Sequence, residues 1–120
     1  MRKVYYLSTC STSKRVIEEL ELYNKGFEFQ DIKIDFITET QLERMYKMAG
    51  SYEALFSKIA RKYKELRLKD RHLTEADFKQ YILEEYTFLK RPVIIIDNSI
   101  FIGSAKKTVE AAAEKLKAHN

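Results

Sequence analysis

Cys10-Ser11-Thr12-Ser13 is the densest concentration of chemistry in the chain: one thiol, three hydroxyls, then the cations Lys14 and Arg15. A short β-prone run, Val4-Tyr5-Tyr6-Leu7, precedes it, and residues with helical spacing follow, so the thiol is expected at a helix N-terminus. There the positive end of the macrodipole and the backbone N–H groups that lack helical partners both favour thiolate over thiol. A thiolate can attack an electrophilic centre or an oxidised sulfur. The hydroxyls of Ser11, Thr12 and Ser13, with the same N–H groups and Lys14 nearby, form a cradle for an anion beside the sulfur. These residues also suit a small, half-buried thiol next to an ordinary helix cap.

Other chemistry is sparse. Cys10 is the single cysteine among 120 residues, so an internal disulfide, a dithiol switch and a thiolate-rich metal site are all excluded. The two histidines, His72 and His119, lie far apart in sequence, and no metal site is expected. With 45% hydrophobic and 33% charged residues, the composition is that of a globular domain. No apolar run approaches the ~18 residues of a spanning helix, and Val4 to Leu7 is too short for a signal-peptide core. A cytoplasmic protein without membrane contact is the expectation. The glutamate pairs Glu18-Glu19 and Glu84-Glu85 read as solvated helix positions.

The elements that must position Cys10 follow from periodicity. Val16, Ile17, Leu20 and Leu22 or Tyr23 form one face of a helix that Gly26 should stop. Phe27 to Ile34 reads as a second strand, which makes a βαβ unit with parallel strands and a right-handed crossover. Thr38 with Gln41 and Thr74 with Asp77 are capping boxes, stapled by Ile37 and Leu42 and by Leu73 and Phe78. Between them, Leu55, Phe56, Ile59, Tyr63 and Leu66 space as one helix or two short ones. Pro92 opens the most apolar run, Val93 to Ile96, which suits a strand buried on both faces. Asp97-Asn98-Ser99 turns it into a returning strand, Ile100 to Ile102, and Gly103-Ser104 should cap a last helix. The order is β α β, three helices, β β α. We expect one α/β domain over residues 1–120, with a helical insertion at about 38–88.

This pattern resembles the arsenate reductase family that also contains the Spx regulators, a branch of the thioredoxin-like fold. The resemblance covers nearly the whole chain. It is carried by Tyr5 to Ser13, by Asp35, Thr38 and Leu42, by a helix over Ser57 to Leu66, by Leu89-Lys90-Arg91-Pro92-Val93-Ile94, and by Ile102-Gly103. It implies a mixed four-stranded sheet and a cis bond before Pro92, whose loop should face Cys10. It also implies that Arg91 holds an oxyanion beside the sulfur, a task for which a planar fork of donors is suited. Two further arginines of the family's arsenate reductases have no counterpart. Ile59 stands at the first position with Arg61 nearby, and no arginine follows the hairpin. Ser13 stands where Spx-type members present their second cysteine.

Two functions follow. The first is a monothiol oxidoreductase in which Cys10 and Arg91 are catalytic, while Ser11, Thr12, Ser13, Lys14 and Arg61 bind the anion. With no resolving cysteine, Cys10 must be regenerated by glutathione as co-substrate, or by a glutaredoxin or thioredoxin-type reductant; no bound cofactor is expected. The alternative is an Spx-like regulator that binds the α subunit of RNA polymerase, with Gly50-Ser51 near the glycine those proteins use in that contact. Seven cations from Lys58 to Arg71 face two acids, and the excess of five exceeds the +4 of the whole chain. Such a basic helix could attract an anionic partner, but it carries no groove-entering motif, and direct DNA binding is not expected.

Overall fold

The computed structural model describes residues 1–118; His119 and Asn120 lie outside them. Its regular elements are β1 (Arg2–Tyr6), α1 (Ser11–Glu19), β2 (Glu28–Asp31), α2 (Glu39–Ala49), α3 (Arg61–Glu65), α4 (Glu75–Glu84), β3 (Val93–Ile96), β4 (Ser99–Ile102) and α5 (Lys106–Ala118). The sheet order is β2-β1-β3-β4. β1 runs parallel to β2 and antiparallel to β3, and β3 and β4 form a hairpin. This is the mixed four-stranded α/β architecture expected from the sequence. Two compact units result: Met1–Asp35 with the chain from Arg91 onward, and Phe36–Lys90.

In the first unit, Val4, Ile94 and Ile96 on one face of the sheet pack with Val16, Ile17 and Leu20 of α1 and with Val109, Ala112 and Leu116 of α5. On the opposite face, Tyr5, Val93 and Ile95 are buried as well. All four residues of β3 are therefore inside, as a continuous β-branched run requires. The hairpin turns on Asp97-Asn98, with Asp97 at φ 54°, the left-handed conformation that a two-residue hairpin loop demands. Met1 O accepts from Asp97 N at 2.7 Å and so fastens the start of β1 to this turn.

Several boundaries differ from the sequence reading. β2 stops at Asp31 instead of reaching Ile34, because Asp31 closes a turn on itself. Its carboxylate accepts from Lys33 N at 3.2 Å, and its carbonyl accepts from Ile34 N at 3.1 Å and Asp35 N at 2.8 Å. Ile32 stays buried, but Ile34 is 82% exposed. α1 ends at Glu19, well before Gly26, because Glu21 takes a left-handed conformation and a 3₁₀ turn at Leu22–Asn24 returns Leu22 to the core. Gly103-Ser104 does not cap α5. Gly103, at φ 88°, turns the chain so that its N–H donates to Pro92 O at 2.9 Å, and Ala105 O instead accepts the first helical bond, from Val109 N.

In the second unit both capping boxes are present. Thr38 Oγ1 accepts from Gln41 N while Gln41 Oε1 accepts from Thr38 N, each at 3.1 Å, and Thr74 and Asp77 repeat the exchange. Phe56 is the hub of an aromatic core, with ring centroids 4.8 Å from Phe78 and 4.9 Å from Phe88. The expected helix over Ser57 to Leu66 is a single short piece, Arg61–Glu65. Upstream of it the chain is extended beside residues 88–90: Ser57 N donates to Phe88 O at 2.7 Å and Lys90 N to Leu55 O at 2.8 Å. Downstream, Arg67 at φ 54° ends the helical course before a 3₁₀ turn at Leu68–Asp70. The basic run from Lys58 to Arg71 is accordingly a broken, mostly exposed ribbon and not one helix.

Packing of this kind sets the expected costs. Ile94→Ala should lower the unfolding free energy by about 2–5 kcal/mol, and Thr74→Ala by about 1 kcal/mol, in urea titrations.

Candidate active site

β1 lies between β2 and β3, so whatever follows β1 at its C-terminal end emerges between the loops of its two neighbours. Leu7 to Cys10 form that exit, closed by a hydrogen bond from Cys10 N to Leu7 O at 2.9 Å. Cys10 is the N-cap residue of α1, in extended conformation at φ −99° and ψ 111°. Its side chain makes no capping bond to the helix backbone, which leaves the thiol available for other partners. The sulfur is half-buried.

Three groups act on it. Burial raises the pKa of the thiol, but the Ser13 backbone N–H, the Ser13 hydroxyl and the Arg91 guanidinium near the sulfur favour the thiolate, and the Arg91 charge adds to them. The result is a pKa below the ordinary cysteine value. Ser13 is fully buried, and its hydroxyl makes no hydrogen bond within geometric limits, so it can turn toward the sulfur. Arg91 arrives from the β3 side, on a cis Arg91–Pro92 peptide whose proline is buried.

The remaining residues named from sequence divide clearly. Thr12 is half-buried in the first turn of α1, whereas Ser11 and Lys14 point outward and are exposed. Arg61 begins α3 in the second unit and is exposed, and Ile59 just before it is 90% exposed. Among the described residues no cluster of three His, Cys, Asp or Glu side chains could hold a metal ion, and no helix is long and apolar enough to cross a membrane. Asp31 was not singled out from sequence. Its carboxylate accepts from Ser8 N at 3.4 Å, on the turn that leads into Cys10. Partial burial raises its pKa, but the Ser8 hydroxyl, Lys33 N–H and Ser8 N–H beside it hold it below the usual carboxylate value. An acid directly after an apolar–polar alternation, at a strand end, is the signal that would have marked it.

A mixed sheet with a thiol at the N-terminus of its first helix, and an Arg–cis-Pro step before its third strand, defines a thioredoxin-like fold. The chain belongs to the ArsC family, whose sequence pattern it matches over residues 5–112. No curated protein is significantly similar to it in sequence. Among solved structures it is similar to the YFFB protein (TM-score 0.81, 21% identity, 97% of this chain and 99% of that one). An arsenate reductase from Vibrio cholerae is also similar (TM-score 0.75, 20% identity, 94% and 95% covered). So is an arsenate reductase-related protein from Brucella melitensis (TM-score 0.70, 22% identity, 92% of each chain covered).

The depressed thiol has a measurable consequence. The rate of Cys10 alkylation should rise with pH through a midpoint below the ~8.5 of free cysteine. Ser13→Ala should move that midpoint upward modestly, because it removes the hydroxyl and keeps the N–H, and Arg91→Ala should move it further. The sign for stability follows. The folded chain releases this proton at lower pH than the unfolded chain, so the Cys10 contribution grows as pH rises to the unfolded value and is lost as pH falls through the folded one.

Proposed function

We propose that the protein is an arsenate-reductase-like monothiol oxidoreductase whose nucleophile is Cys10. The observation that carries this reading is the thiol itself: an uncommitted sulfur at a helix N-terminus, served by the Ser13 N–H and hydroxyl and by Arg91. Membership of the ArsC family supports it. In the proposed reaction the Cys10 thiolate attacks either one sulfur of an oxidised thiol or the central atom of an oxyanion. In the second case a sulfur–centre bond forms as one protonated oxygen leaves as water. A glutathione thiolate then attacks the Cys10 sulfur, forming the mixed disulfide while the bonding pair returns to the centre and reduces it by two electrons. With oxidised glutathione, an S–S bond forms between Cys10 and one glutathione, the original S–S bond breaks, and the second glutathione leaves as thiolate. A second thiol, from glutathione or from a glutaredoxin or thioredoxin-type protein, then attacks the mixed disulfide and releases Cys10 as thiolate. Arg91 and the first turn of α1, with the Thr12 and Ser13 hydroxyls, stabilise negative charge on the bound group. Lys14 is proposed to attract the anion from its exposed position. The chemistry needs a reducing compartment, which for this chain we take to be the cytoplasm.

One observation favours a second reading. With Ile59 at a family arginine position and no arginine from Gly103 onward, the oxyanion ligands of an arsenate reductase are incomplete. An Spx-like role, binding the α subunit of RNA polymerase, needs none of them.

Mass spectrometry after incubation with oxidised glutathione tests the proposal, with an arsenate reduction assay coupled to glutaredoxin alongside. The wild type should gain one glutathione and Cys10→Ser none. Adduct with arsenate turnover supports the full reading, and adduct alone narrows the substrate to oxidised thiols. No adduct and no turnover, with capture of the polymerase α subunit, would transfer the assignment to the regulator.

A further inference from the structure

We propose that Asp31 is a positioning residue for Cys10, clamping the turn that delivers the thiol from the side of β1 opposite to Arg91. This rests on the reading of Cys10 as a nucleophile.

The topology makes the arrangement unavoidable. Asp31 is the last residue of β2 and lies in register with Tyr6, the last residue of β1. The two strands therefore end side by side, and the chain beyond Tyr6 leaves the sheet next to the Asp31 carboxylate. Ser8, at the first corner of the turn from Leu7 to Cys10, is what that carboxylate grips, through its N–H at 3.4 Å and with its hydroxyl close enough to lower the carboxylate pKa. The same carboxylate oxygen accepts from Lys33 N at 3.2 Å, which fixes Asp31 itself. Arg91 enters from the β3 side. Cys10 thus sits at the end of a turn tied on its β2 flank by an acceptor and met on its β3 flank by a donor.

The tie matters because the Cys10 side chain makes no capping bond that would fix the turn. The turn's single backbone bond, Cys10 N to Leu7 O, fixes the spacing of the turn but not its tilt against β2. Cys10 and Ser13 move together, since Lys14 N donates to Cys10 O at 3.2 Å. Hydrogen bonds to a sulfur still weaken steeply with misdirection, so a small tilt of the turn takes the thiolate away from Arg91 and raises its affinity for the proton. Asp31 acts here through geometry and against its own charge, since a negative group near a thiolate by itself disfavours it.

That opposition of sign makes the proposal testable. In Asp31→Ala, with native far-UV circular dichroism, the midpoint of Cys10 alkylation should rise, and the rate at pH 7 should fall roughly three- to tenfold. Asp31→Asn keeps an acceptor oxygen in the same place and loses the charge, so its profile should lie near that of the wild type. Should Asp31→Ala fail to fold, Ser8→Ala removes the hydroxyl half of the clamp and should shift the midpoint in the same direction by less. An Asp31→Ala profile that superimposes on the wild type, or one shifted to lower pH, overturns the proposal. So does an Asn variant as impaired as the Ala variant. Failure of the underlying reading looks different: the wild-type thiol itself would titrate as free cysteine does and ignore Arg91→Ala.

Discussion

Everything at the candidate site depends on β1 being an interior strand. It is held on one edge by β2, thirty residues or fewer away in sequence, and on the other by β3, which lies some ninety positions on. Because β2 ends and β3 begins near the exit of β1, the loop that carries Cys10 is flanked on both sides. Residues from three distant parts of the sequence, Ser8 to Ser13, Asp31 and Arg91, converge there without any of them making a long excursion. The apolar face formed by Val4, Ile94 and Ile96 holds these strands in register against α1 and α5, so the position of the sulfur is a property of the core.

The electrostatics of the thiol are a contest between opposing effects, and its outcome is decided by directed hydrogen bonds. Half-burial alone would keep the proton on sulfur. The Ser13 N–H is supplied by the first turn of α1 at no cost to the helix, since that N–H has no helical acceptor. The Ser13 hydroxyl, fully buried, can turn toward the sulfur as a donor, and Arg91 adds both a donor and a charge. Lys14, although adjacent in sequence, lies on the exposed side of the same turn and does not act on the sulfur. Proximity in sequence is thus a poor guide to influence on Cys10; the side of the helix on which a residue falls decides it.

Much of this was legible beforehand. The four strands, the two capping boxes and the location of the thiol follow from local signals that agree with one another: alternation, hydroxyl–acid spacing and a single proline ahead of a β-branched run. What was not legible depended on contacts between distant segments. Leu55 to Ser57 carry residues that could complete a helical face, but pairing with Phe88 to Lys90 draws them into extended backbone. Phe27 to Ile34 alternate like a long strand, yet Asp31 satisfies its own neighbours' N–H groups and ends the ladder early. Left-handed conformations at Glu21 and Arg67, both ordinary helix formers, ended helical segments with no glycine to announce them. Asp31 itself escaped notice because its partner, Ser8, is adjacent only once the two strands have paired.

The division of the chain into a continuous unit, Phe36–Lys90, and a discontinuous one that flanks it has a consequence for biosynthesis. On a ribosome the N-terminal strand, first helix and second strand emerge long before β3 exists, so β1 waits with one edge unpaired while the whole of the middle unit is translated. During that interval Cys10 is present without Arg91. A nascent chain stalled before codon 91 would therefore carry this thiol without its guanidinium, and the arginine's share of the cysteine's reactivity arises only as the last quarter of the polypeptide is added.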